Sequence, residues 1–120
     1  MFREEFKERT KKYALRIIKL AEALPKTKTG DVVSKQIIRC GTSVASNYRA
    51  ACRAKSDLDF LSKMGIVEEE ADESMFWLEI IVDSGLMRRE LVLSLLQEGS
   101  EVLAIVVSSK ITFKKRLKDK

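Results

Sequence analysis

The side chains that could do chemistry fall into three groups, and their spacing says what each group could attempt. Basic residues form a line through the second quarter of the chain. Lys28, Lys35, Arg39, Arg49 and Arg53 occupy the series 28, 35, 39, 42, 46, 49 and 53, with Thr42 and Ser46 filling the gaps. On a helix these positions share one face, a pattern suited to phosphate backbones and to salt-dependent binding through counterion release. Arg9, Lys12, Arg16 and Lys19 add a second basic flank upstream. Carboxylates form the second group, Glu68, Glu69, Glu70, Asp72 and Glu73. The third group is a pair of cysteines, Cys40 and Cys52.

What is missing narrows the chemistry further. The 120 residues contain no histidine. That removes the commonest general base, the Ser-His and Cys-His dyads, and the Glu-x-x-His pairs of a carboxylate-bridged di-metal bundle. A magnesium site built from carboxylates alone stays open beside the simpler reading, a solvated or ion-paired face. Cys40 and Cys52 lie twelve residues apart on one predicted helix, roughly 18 Å along the axis. They can neither bridge each other nor share a metal within one chain, and both read as packing thiols. We expect no cofactor and no metal, and no catalysis.

These residues must be positioned by helices. Five glycines and one proline leave few turns, so the elements are long. A first helix is predicted over 3–24, where Phe6, Tyr13, Ile17, Leu20 and Leu24 recur at three- and four-residue steps until Pro25. A second covers 31–53, with Thr27 and Thr29 as candidate caps. A third, capped by Ser56, covers 56–84 with the stripe Phe60, Met64, Val67, Ala71, Met75, Leu78 and Val82, and stops at Gly85. A fourth covers 88–113 and frays into a lysine-rich tail. Short connections make this an all-α, antiparallel up-down-up-down four-helix bundle, one domain over 1–120.

The second helix carries two apolar seams. One is Val33, Ile37, Cys40, Val44, Asn47 and Ala51; the other is Ile38, Gly41, Ala45, Tyr48 and Cys52. A helix with two stripes packs in two directions, so the second seam is expected to form a homo-oligomer interface. A wide core with scattered exposed apolar residues is the competing account. Asn47, polar on a core stripe, either fixes register between copies or is satisfied locally.

Net charge is +5 but unevenly divided: +3 over 1–24, +6 over 25–55, −8 over 56–87 and +4 over 88–120. The basic line lies roughly 160° from the Val33–Ala51 seam and therefore faces outward. It either binds a polyanion or pairs with the acidic third helix. Aromatics sit mostly on core stripes, so no stacking platform for single strands is visible. The N-terminal segment mixes acids with bases, unlike a signal peptide, and the longest purely apolar run, 102–107, is short for a membrane span. A cytoplasmic protein without a membrane partner is the expectation.

The stretch 41–81, GTSVASNYRAACRAKSDLDFLSKMGIVEEEADESMFWLEII, resembles the signature of the four-helix-bundle, 23S rRNA intervening-sequence protein family. SKQIIRC before it, LPKTKTG between the first two helices and EGSEVLAIVVSSKITFKKRL near the end fit the same pattern. Ser46 and Met75 depart from it, where alanine and leucine are expected. The resemblance implies small basic bundles assembled as ring-like homopentamers, with no established catalysis and no active-site residues. It also implies kinship with accessory proteins of diversity-generating retroelements, which bind a reverse transcriptase and nucleic acid. Two partner classes stand beside self-association: RNA or DNA on the basic surface, or an acidic protein partner, for example a reverse transcriptase, on that same surface.

Overall fold

A computed structural model describes residues 2–120 as four helices. They are α1 (Phe2–Glu22), α2 (Lys28–Ala51), α3 (Asp57–Asp83) and α4 (Arg89–Lys118). Local chemistry sets the ends. The Thr27 hydroxyl accepts from the Gly30 N–H at 3.0 Å, so α2 begins a turn earlier than the predicted Asp31. Ser56 accepts from the Asp59 N–H, and the Asp59 carboxylate accepts from the Lys55 N–H in return, a reciprocal cap. Gly85, at φ 78°, reverses the chain after α3 in a conformation that suits glycine.

Neighbouring helices run antiparallel. Phe6 near the start of α1 meets Tyr48 near the end of α2, while Ser34 near the start of α2 donates to the Ala21 carbonyl near the end of α1. Helices α1 to α4 follow one another around the bundle, which measures 53 × 22 × 21 Å. Two apolar clusters fill it. One lies around Tyr13, Ile17, Ile37 and Leu78; the other lies around Tyr48, Phe60, Met64 and Val102. Gly41 lets α1 approach α2: a Cβ there would stand 2.8 Å from Ile17 Cγ2.

The predicted α1 stripe is buried throughout, Phe6, Tyr13, Ile17, Leu20 and Leu24. On α3 the pattern needs correction. The buried series is Phe60, Met64, Val67, Ala71, Ser74, Leu78 and Ile81; Met75 and Val82 are only half-buried. Ser74 can occupy the core because its hydroxyl donates to the Ala71 carbonyl and accepts from Tyr13 Oη at 2.7 Å, across the bundle diagonal. Helix α4 does not fray at 113 but continues to Lys118. Phe113 packs on Phe60 with ring centres 4.5 Å apart, and Lys110 pairs with Glu68. Asn47 is half-buried, and its amide donates to the carbonyl and hydroxyl of Ser43 one turn back. Tyr48 takes the core place beside it, edge-on to Phe6.

Candidate nucleic-acid interface and apolar faces

The α2 basic line faces outward because the opposite side of the helix, Val33 to Ala51, is buried, and Thr42 and Ser46 in its gaps return their hydroxyls to carbonyls of their own helix. Lys28, Lys35, Arg39 and Arg49 are exposed along this face; α2 ends at Ala51, short of the predicted 53, so Arg53 is exposed in the connection just past it. From Lys28 to Arg49 the line spans roughly 32 Å. Its members differ in what holds them. Arg39 donates to Glu70 at 2.9 Å and also to Glu73, clamping α2 to α3. That contact holds the Glu73 carboxyl below the ordinary carboxylate range. Lys28, Lys35, Arg49 and Arg53 have no carboxylate within ion-pair distance among the described residues.

The α1 flank divides in the same way. Arg9 is forked on Glu98 and reaches Glu101, at 2.8–2.9 Å, so it ties α1 to α4 and is withdrawn from the predicted phosphate-binding set. Burial at the joint opposes ionisation, but the guanidinium prevails and the Glu98 pKa is lowered. Arg16 donates to the Ser94 hydroxyl at 2.8 Å. Lys12 and Lys19 stay exposed. Arg9 and Arg39 are thus structural clamps, a role set by acids on helices distant in sequence.

The predicted oligomer seam is corrected at two of its five residues. Gly41 lies under Ile17 and Tyr48 is 3 % exposed, so both belong to the protomer's own core. Ile38, Ala45 and Cys52 are half-buried on the edge of α2 that faces α1. There Ala45 shares a groove with Ala14, Leu15 and Ile18 of α1, rimmed by charges of both signs: Glu4, Lys7, Glu8, Lys11 and Arg49. Leu15 is 56 % exposed in it.

A second apolar row lies on α4, within the LVLSLL and VLAIVV runs that are apolar over a wide arc of the helix. Leu93, Leu96, Ser100, Ala104, Val107 and Ile111 recur at three- and four-residue steps, away from the buried Val92–Val106 series. By length and composition α4 could cross a membrane, yet only 28 % of its apolar stretch is buried in the bundle. The exposed remainder is an apolar surface that the protomer's own helices do not cover.

Nothing in the arrangement points to catalysis. Glu70 and Glu73 hold Arg39, and Glu68 holds Lys110. Among the described residues no three His, Cys, Asp or Glu side chains are grouped to hold a metal. Burial pushes the Cys40 thiol up to about 12, and its Sγ–H rests on the Ile37 carbonyl.

Comparison with known proteins agrees with this architecture. The family model described as 23S rRNA-intervening sequence protein matches residues 4–108. A solved protein of unknown function from the S23 ribosomal protein family of Bacteroides thetaiotaomicron superposes with a TM-score of 0.85. It is 33 % identical, over 92 % of this chain and 98 % of that one. Among curated proteins none matches the chain.

Proposed function

We propose that this chain, which belongs to the 23S rRNA-intervening sequence protein family, is a non-catalytic homo-oligomeric scaffold that binds RNA or DNA through the outward face of α2. The observation that carries this reading is the set Lys28, Lys35 and Arg49 along α2 and Arg53 just past its end, all exposed, with no carboxylate within ion-pair distance among the described residues. Lys12 and Lys19 on α1 extend the positive surface. Self-association rests on two unlike apolar faces, the α4 row and the α1–α2 groove. Unlike faces that fit one another build a head-to-tail contact, which gives a ring where the rotation between copies closes and an open filament where it does not. Five copies is the number the family resemblance implies.

Reversal of Lys35, Arg49 and Arg53 to Glu tests the nucleic-acid reading by filter binding. Loss of binding with an unchanged circular-dichroism melt supports it; unchanged binding refutes it.

A second reading is a protein-interaction adaptor, with a reverse transcriptase as the partner the retroelement resemblance suggests. The outer face of α3 favours it locally: Glu69, Asp72, Glu79 and Asp83 are exposed there with Phe76, which is 51 % exposed. A polyanion avoids that face, whereas a protein partner with basic and apolar groups suits it. A partner retained after nuclease treatment identifies this case.

A further inference from the structure

One end of the bundle gathers groups that lie far apart in the sequence. The first turn of α1, the first turn of α3 and the last turns of α4 enclose a recess there. Its floor is aromatic: Phe60 lies against Phe113, and Phe2, 59 % exposed, stands at the rim. The guanidinium of Arg3 sits over the Phe60 ring, 5.3 Å from its centre, and Arg116 also lines the recess. Neither arginine has a carboxylate within ion-pair distance among the described residues. The hydroxyls of Ser108, Ser109 and Thr112 also line the recess, with no hydrogen-bond partner among the described residues.

The charge around this end has one dominant sign. Helix α4 finishes with Lys114, Lys115, Arg116 and Lys118, and the α2–α3 connection adds Arg53 and Lys55. Of the nearby acids, Glu4 pairs with Lys7, Asp59 is taken by Lys63 and the Lys55 N–H, and Asp57 lies 3.8 Å from Lys120; Glu5 and Asp119 also stand at this end. Field from such a cluster draws polyanions to the recess.

We infer that this end recess binds an unpaired nucleotide of a single-stranded RNA or DNA, its phosphate between Arg3 and Arg116 and its base on the Phe2 ring. The inference deepens the nucleic-acid reading of the α2 face and rests on it. Arginines and hydroxyls supply donors for phosphate oxygens. An exposed ring supplies a face that an unpaired base can cover and a base inside a duplex cannot. A neighbouring hollow shares Arg3, Phe60 and Phe113 with the recess and is lined by Cys52, Ala54 and Lys55 of the α2–α3 connection, the segment that carries Arg53, so one strand can follow the line and end in the recess.

The test is fluorescence anisotropy with a labelled ten-nucleotide single strand and a ten-base-pair duplex, using the full chain. Arg3→Ala with Arg116→Ala is expected to weaken the single strand by about tenfold or more, through two lost phosphate contacts. Phe2→Leu keeps the apolar bulk but removes the ring. It is expected to weaken the single strand about fivefold or more, as for one lost stacking contact, and to leave the duplex within about twofold. Wild-type affinity for the single strand in the double variant overturns the inference. So does an equal loss for strand and duplex in Phe2→Leu. If the α2 reversal abolishes binding while both end variants keep it, only the recess falls. If the wild-type protein binds neither probe, the α2 reading falls with it.

Discussion

The salt dependence of binding can be worked out from the α2 face. Four of its bases, Lys28, Lys35, Arg49 and Arg53, are without an acidic partner among the described residues, while Arg39 is held by Glu70 and Glu73. A ten-base-pair duplex, about 34 Å long, matches the line from Lys28 to Arg49. Each phosphate neutralised on a duplex contributes about −0.9 to the slope of log K against log salt. Four contacts on one protomer therefore predict a slope of about −3.6 and an affinity loss of about 150-fold between 50 and 200 mM salt. Lys35→Ala removes one contact, so the slope falls to about −2.7 and the loss to about 40-fold. Arg39→Ala leaves the slope near its original value. Fluorescence anisotropy over that salt range measures each slope. A slope unchanged by Lys35→Ala, or one that drops on Arg39→Ala alone, refutes the division into free and clamped bases.

Three further outcomes follow from the core and the clamps. Ser74→Ala leaves the buried Tyr13 hydroxyl without its partner and costs about 1–3 kcal/mol, whereas Tyr13→Phe costs about 1 kcal/mol because Ser74 still donates to Ala71. Urea unfolding of the double variant should give a smaller loss than Ser74→Ala alone. Glu98 and Glu73 have their pKa values lowered from 4.5 by Arg9 and Arg39. Their stabilisation is therefore complete above pH 4.5 and is lost as pH falls through the lower folded values. Acid titration followed by circular dichroism should show Arg9→Ala flattening that loss. In alkylation followed by mass spectrometry, half-buried Cys52 is modified in the native protein, and buried Cys40, with its pKa near 12, only on unfolding.

Much of this fold is legible in the sequence, for identifiable reasons. The α1 stripe emerges because its buried residues are large, apolar and helically spaced, and the Thr27 and Ser56 caps follow from hydroxyls placed three residues before their N–H donors. Ser74 was hidden because hydropathy favours Met75 beside it, and only the Tyr13 hydroxyl on another helix makes a serine acceptable in the core. The second α2 seam was recognised as apolar, but periodicity on one helix cannot distinguish a neighbour in the same chain from one in another copy. Tyr48 and Gly41 proved to have neighbours in α1. Arg39 pairs with α3, as the charge split allows, but that split does not say which base pairs, and the acids of Arg9 arrive only when α4 packs beside it. The end recess was invisible for the same reason: residues 2, 3, 60, 113 and 116 meet only after folding. Its aromatic–basic pattern carries no local periodic signal.

Light scattering coupled to size exclusion, run with a short oligonucleotide at moderate salt, tests the oligomeric nucleic-acid-binding scaffold most directly. The account predicts a protein mass of about 68 kDa, five times the 13.7 kDa chain, eluting together with the oligonucleotide. A 13.7 kDa peak with the oligonucleotide eluting separately contradicts it.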